Sequence, residues 1–283
     1  MILSIVLAIT FPVVSVLLFK EFDKRNIDTL TAIVFNYLGA IMLGMFLFVS
    51  PIQLVQIHSQ EWFWSSVLVG GLFLLNFFLI AKTAINQGVS IATFANKISL
   101  VFPVVFTVLY FGEPAGILKI AGVLLALYSI YLLTVKSSSL PKTPFGLFPL
   151  FIFLFTGIAE SAINYTQKVY FSQDSEISYF VIACFSVSFV LGSGFLFFQK
   201  KMIKRKEVAA GLLLSIPNTF GLYFFIKSLK NVTDTSALLP IINIGTLLMA
   251  IFVGVFLYQE KLSKRNWWGI LIAIFSILIL TIS

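Results

Sequence analysis

Apolar residues run along this chain in ten long stretches separated by short polar breaks. The stretches cover roughly residues 2–19, 29–50, 62–81, 90–111, 116–135, 145–167, 178–198, 208–229, 235–258 and 267–282. At ~1.5 Å of rise per residue, each is long enough to cross a hydrocarbon core of ~30 Å as a helix. The other structure that can span lipid is a closed barrel, whose strands alternate apolar and polar positions over about ten residues. These stretches do not alternate, and backbone in lipid must satisfy its own hydrogen bonds. The pattern predicts an all-α integral membrane protein with ten transmembrane helices. Turn formers and charges fill the breaks, among them Ser50-Pro51, Asn86-Gln87-Gly88, Gly112-Glu113-Pro114, Ser137 to Pro144 and Gln199 to Glu207. No break is long enough to hold a separate soluble domain.

Composition agrees with lipid as the solvent. Hydrophobic residues make up 59% of the chain and charged residues 11%, against about a quarter charged in soluble domains. The net charge of +8 would suit nucleic acid, but the basic residues lie in short loops beside headgroups. They read as a topology signal and as lipid contacts, and no nucleic-acid partner is expected. Loops after segments 1, 3, 5, 7 and 9 hold fourteen Lys and Arg, whereas the opposite loops hold only Lys119, Lys168, Lys227 and Lys230. The positive-inside rule then places both termini outside a cell inner (plasma) membrane. The apolar N-terminus lacks a basic region before it and a small-residue cleavage site after it, so it reads as a retained first helix. Cys184 and His58 are each the single residue of their type. That excludes a disulfide framework and a Cys/His zinc cluster, and leaves Cys184 as a packing residue.

The chain also repeats itself. A shift of 147 places Asn96 on Asn243, Ser99 on Thr246, Glu113 on Glu260 and Gly122 on Gly269. The halves are residues 1–139 and 140–283, each with five segments. An odd number inverts the second half relative to the first, so the expected architecture is two inverted five-helix repeats.

The residues that carry the repeat also carry a resemblance. Tyr110-Phe111-Gly112-Glu113-Pro114 is followed by Lys119 and Gly122. Leu257-Tyr258-Gln259-Glu260-Lys261-Leu262 is followed by Trp268-Gly269-Ile270-Leu271-Ile272. Both copies resemble the EamA-type members of the drug/metabolite transporter superfamily. The resemblance implies a ten-helix secondary carrier with a central cavity, moving small metabolites such as amino acids, nucleobases, choline or drugs, with no metal or organic cofactor. Many such relatives keep both termini in the cytoplasm, opposite to the orientation these loop charges give. Glu113 and Glu260 each precede a helix, where exposed N–H groups favour a carboxylate. Gly122 and Gly269 read as close-packing points between helices.

Polar side chains inside the segments are costly in hydrocarbon unless they find partners or line a cavity. Lys97 lies about seven residues into segment 4, where it either snorkels to the interface or faces the interior. In segment 6, Thr156, Glu160, Asn164 and Lys168 recur every four residues and share one helix face. Glu160 is a candidate proton carrier or a counter-ion, with Lys97 a conceivable partner. Asn96, Ser99 and Pro103 share a face of segment 4. Repeat symmetry sets Asn96 and Asn243 opposite one another, as helix glue or as cargo contacts. Asn76 is the strongly polar residue inside segment 3, and Thr219, Tyr223 and Lys227 form a stripe on segment 8 after Pro217. The candidate cargo-binding set is therefore Asn76, Asn96, Lys97, Asn164, Tyr223 and Asn243, with Glu160 for proton coupling.

The expected function is secondary active transport of a small polar or amphipathic metabolite by alternating access. The expected partners are that cargo and membrane lipids, with a homodimer left open. A lipid scramblase or a non-transporting assembly factor is the alternative reading, and a membrane-embedded enzyme is weaker still, since no metal-ligand cluster or nucleophile elbow is present in the sequence. No nucleotide-binding motif points to ATP as the direct energy source.

Overall fold

The computed structural model describes residues 2–48, 57–87, 89–134, 147–200, 202–230, 232–259 and 262–282. Its α-helices are α1 (Ile2–Lys24), α2 (Thr29–Phe48), α3 (Phe63–Gln87), α4 (Val89–Ile98), α5 (Val101–Phe111), α6 (Ile117–Thr134), α7 (Leu147–Tyr170), α8 (Asp174–Phe198), α9 (Arg205–Lys230), α10 (Thr235–Tyr258) and α11 (Lys264–Ile282). Among the described residues they supply ten spans long and apolar enough to cross a membrane, and there is no strand. The protein is a multi-pass, all-helical integral membrane protein. Glu260 and the boundary between the two sequence halves at residues 139 and 140 lie outside the described residues.

The fourth span departs from the continuous helix that its hydrophobicity predicts. It runs from Ile91 to Phe111 but is divided into α4 and α5 at Ser99 and Leu100. Pro103 has no N–H to return to the Ser99 carbonyl, so the α-helical ladder fails there. That carbonyl instead accepts the Phe102 N–H at 2.9 Å, and Leu100 N–H reaches the Lys97 carbonyl at 3.4 Å. Both are tight three-residue steps. The Ser99 hydroxyl donates back to the Asn96 carbonyl at 2.5 Å, satisfying an acceptor that the break would otherwise strand.

The chain forms two compact units, each drawing on both sequence halves. The first comprises Met1–Leu74 and Ala162–Asn231; the second comprises Leu75–Ser161 and Val232–Ser283. In the first, α2 packs against α8 and α9, and α1 packs against α9. Small residues set these approaches, as expected where lipid gives helices no hydrophobic reason to associate. A Cβ on Gly39 of α2 would sit 2.6 Å from Ser215 Oγ of α9, and one on Gly192 of α8 would sit 2.9 Å from Val34 of α2. Ser188 donates to the Gly70 carbonyl at 2.8 Å. Cys184 is fully buried beside that contact, a packing residue as its sequence context predicts.

In the second unit, α6 packs along α11, and α10 contacts α5, α6 and α11. The α6–α11 contact is reciprocal. Gly122 of α6 faces Leu280 of α11, where a Cβ would come within 2.8 Å, and Gly269 of α11 faces Leu133 of α6, again at 2.8 Å. A shift of 147 carries Gly122 onto Gly269 and Leu133 onto Leu280. The same shift relates two helix ends. Gly112 caps α5 in the left-handed region at φ 66° with its N–H on the Thr107 carbonyl. Gln259 caps α10 at φ 51° with its N–H on the Gly254 carbonyl.

Candidate functional site

The left-handed turn at Gly112 positions Glu113, and the outcome differs from the sequence expectation. Its carboxylate reaches a helix far along the chain. It caps α10: Oε1 accepts the Thr235 N–H at 3.1 Å and the Thr235 hydroxyl at 2.6 Å, and Oε2 accepts the Ser236 N–H at 2.7 Å. Asp234, the N-cap of α10, accepts the Ala237 N–H at 3.1 Å and pairs with the buried ammonium of Lys119, which also bonds Ser236 Oγ at 3.1 Å. Two carboxylates at the start of one helix match the partial positive charge of its N–H groups. This cluster anchors α10, the helix that carries Asn243.

Five of the seven predicted site residues belong to the second unit: Asn76, Asn96, Lys97, Glu160 and Asn243. Thr156 on α7 gathers two of them. Its hydroxyl accepts from Asn76 Nδ2 at 2.6 Å and from Asn96 Nδ2 at 3.0 Å. Thr156 was visible in the sequence only as a member of the Glu160 stripe; its bridging role needs two further helices. Lys97 occupies the last turn of α4, where the carbonyl end of a half-helix favours a cation. It does not snorkel: Nζ donates to Asn243 Oδ1 at 3.1 Å, and Asn243 Nδ2 donates to the Leu239 carbonyl at 3.2 Å. Asn96 and Asn243, set opposite one another by the repeat, thus bond to different partners. Consecutive residues on a helix point about 100° apart, so Asn96 turns to α7 while Lys97 turns to α10.

Glu160 lies one helical turn beyond Thr156. Lys97 is the cation that acts on it electrostatically, but the two form no ion pair among the described residues. Glu160 Oε2 is buried with no hydrogen-bond donor among the described residues, and Asn76 Oδ1 is buried in the same condition. A buried acceptor left without a donor costs about 1–3 kcal/mol, and more when charged. The cluster thus combines one cation, one carboxylate, three amides and a hydroxyl beside a helix break, with two acceptors awaiting donors. The other two predicted residues are in the first unit. Asn164 is fully buried on α7. Tyr223 is buried on α9 with Lys227 Nζ 5.6 Å above its ring, and Lys227 pairs with Asp174 at 2.7 Å. The stripe of Thr156, Glu160, Asn164 and Lys168 therefore divides between the units. Among the described residues, no group of three or more His, Cys, Asp or Glu could hold a metal ion.

Comparison with known proteins adds a family similarity to this polar cluster at a broken span. Residues 145–282 match the model of the EamA-like transporter family. This half of the chain is similar to the EamA-like transporter family. The EamA-like chain is also 27% identical over 290 residues to an uncharacterized protein of Haemophilus influenzae, with 97% of this chain and 96% of that one covered. A solved crystal structure shares its fold at a TM-score of 0.72 and 15% identity, covering 99% of this chain and 96% of the other. The shared fold thus spans both halves of the sequence, while the family similarity covers the second.

Proposed function

We propose that this EamA-like membrane transporter is a secondary active carrier of a small polar or amphipathic metabolite, working by alternating access between two inverted five-helix repeats. Asn76, Asn96, Lys97, Thr156 and Asn243 contact the cargo, and Glu160 carries the coupling proton. The observation that carries this reading is Glu160 Oε2, a buried carboxylate oxygen with no donor, in the same unit as the half-helix end that holds Lys97. Carriers of this kind bind cargo and coupling ions where spanning helices are interrupted, because unwound backbone and half-helix ends supply polar groups there. A carboxylate that must take up a proton or a donor to be satisfied suits a group that changes partner during a cycle. Two features support the inverted repeat: the equivalent left-handed caps at Gly112 and Gln259, and the reciprocal packing of Gly122 and Gly269 on Leu280 and Leu133. The protein resides in the cell inner membrane in this reading, as its loop charges suggest.

The test is reconstitution into proteoliposomes with labelled amino acids, nucleobases and amphipathic drugs, with and without an imposed proton gradient. Accumulation that follows the gradient supports the reading. Cargo exchange unaffected by any proton gradient would remove the coupling role, and scrambling of lipids without cargo uptake would overturn the transporter reading itself.

A further inference from the structure

The first unit carries an apolar groove of about 580 Å³ between α2 and α8, lined by Val34, Phe35, Phe189, Phe197, Ile203 and, at one end, Lys200. Its helical walls lie inside the spans Thr29–Phe46 and Asp174–Phe198, so the medium against them is hydrocarbon. Phe197, at the Lys200 end, is 79% exposed. The side chains of Lys200 and Lys204 extend from the loop that follows α8, that of Arg205 from the first residue of α9, and that of Arg25 from the loop that follows α1. All four are exposed and have no ion-pair partner among the described residues. Lys206 holds the two loops together, donating to the Arg25 carbonyl at 3.2 Å and the Asn26 carbonyl at 2.7 Å. The described carboxylates at this end are engaged. Glu21 pairs with Lys24 at 2.7 Å, Asp28 accepts the Thr31 N–H at 2.8 Å, and the buried Glu207 accepts the Lys204 N–H at 3.0 Å.

We infer that this groove is a binding site for an acidic glycerophospholipid, with one acyl chain along α2 and α8 and the phosphate and anionic headgroup at Lys200, Lys204, Arg205 and Arg25. An apolar trough inside a span selects a chain over a soluble anion. Lys200 in its lining, with Lys204, Arg205 and Arg25 in the adjoining segments and none of them ion-paired among the described residues, selects an acidic headgroup over a zwitterionic one, since basic residues beside a span attract anionic lipid. The site shares no residue with the polar cluster of the second unit and does not rest on the transport reading.

Native mass spectrometry of the full chain in neutral detergent tests it, using phosphatidylglycerol, phosphatidylcholine with the same acyl chains, and chain-free glycerophosphoglycerol as probes. Phosphatidylglycerol should be retained as a discrete adduct, and the other two should not. Lys200→Gln and Arg205→Gln should each weaken retention by roughly fivefold, the worth of one cation beside an anionic headgroup; Lys200→Arg should preserve it. Ser193→Phe, which fills the groove with every cation intact, should also reduce retention. Thermal unfolding in lipid-free detergent checks that each variant is folded, and if Ser193→Phe is not, the charge variants decide alone. Equal retention of phosphatidylcholine, or retention unchanged in the charge variants, overturns the proposal. So does equal binding of glycerophosphoglycerol, which would mark a site for soluble anions.

Discussion

The ammonium of Lys97 donates to Asn243 Oδ1 at 3.1 Å, a contact between residues 146 apart in sequence. Asn243 is the repeat mate of Asn96, the neighbour of Lys97, while the mate of Lys97 itself is the apolar Ile244. Packing shared by both repeats therefore does not call for a lysine here. An amide oxygen also leaves the charge of the ammonium unbalanced. Lys97→Met keeps much of the stem and removes the charge. For a cargo bearing an anionic group, we expect affinity to fall tenfold or more, in line with ~1.5–3 kcal/mol for a hydrogen bond to a charged group. Lys97→Arg should recover part of that loss. Binding titrations on detergent-purified protein read both, and unchanged affinity in a folded Lys97→Met would remove Lys97 from the site.

Glu160→Gln tests the coupling role. Gln has the size of the acid but cannot ionise, and its amide can meet a buried environment without a proton. Gradient-driven accumulation should collapse, and cargo exchange at equal concentrations on both sides should persist. If instead the proton dependence of uptake matches wild type, Glu160 is a structural group. Thr156→Val, which removes the hydroxyl shared by Asn76 and Asn96, should lower cargo affinity with proton dependence retained.

The ten spans were legible because hydrophobicity over ~20 residues is a one-dimensional signal, and lipid leaves little choice but helix. The break inside the fourth span was not, although Ser99 and Pro103 stood in plain view. A proline in a span is often tolerated without interruption: α9 remains continuous through Pro217 and α10 through Pro240. What distinguishes Pro103 is where the serine four residues earlier sends its hydroxyl: Ser99 folds back on the Asn96 carbonyl and stabilises the tight turn, whereas Ser236 before Pro240 bonds Asp234. The partner of Glu113 was hidden for another reason. A carboxylate before a helix suggests a local cap, and only the tertiary fold brings in the N-terminus of α10, 122 residues away. Lys97, Glu160 and the asparagines were visible as residues that lipid would penalise. Their pairings depend on which helices meet, and the stripe pattern of one helix does not contain that.

Close packing of α6 on α11 makes a direct stability prediction. A Cβ on Gly122 would lie 2.8 Å from Leu280 Cγ and 2.9 Å from its Cδ2, closer than carbon atoms pack. Gly122→Ala should destabilise by about 1–3 kcal/mol, the usual range for overpacking. Adding Leu280→Ala should recover part of that loss, so the pair should be non-additive in a double-mutant cycle. Gly116, with open space around its Cβ position, is the control, and Gly116→Ala should be near neutral. Thermal unfolding in detergent gives all four values.

Glu113→Ala should be more damaging than its position in a turn suggests. It strands the Thr235 and Ser236 N–H groups at the start of α10, both in buried residues. Each unpaired buried donor costs about 1–3 kcal/mol. Glu113→Gln retains one acceptor oxygen and should fall between Ala and wild type. Because α10 carries Asn243, cargo affinity should drop along with the unfolding temperature. A variant with lowered affinity and wild-type stability would instead mark Glu113 as a direct cargo contact.

Orientation can be decided by one thiol. The loop charges place residues 199–207 on the cytoplasmic side and both termini outside, whereas the family resemblance implies termini inside. The ion pairs sharpen the charge argument. Of the four Lys on the minority side, Lys119 pairs with Asp234, and Lys227 and Lys230 both reach Asp174, at 2.7 and 3.3 Å. Paired cations do less to hold a loop back from translocation than Lys200, Lys204 and Arg205 on the other side, which form no ion pair among the described residues. Met202 is 85% exposed, so a cysteine there is open to reagent. With Cys184→Ala removing the buried native thiol, Met202→Cys should resist an impermeant maleimide in intact cells and react once the membrane is permeabilised. Labelling in intact cells would reverse the orientation and put both termini in the cytoplasm. The acidic-lipid groove ending at Lys200 would then open to the outer leaflet, so this one measurement also fixes the leaflet in which that lipid binds.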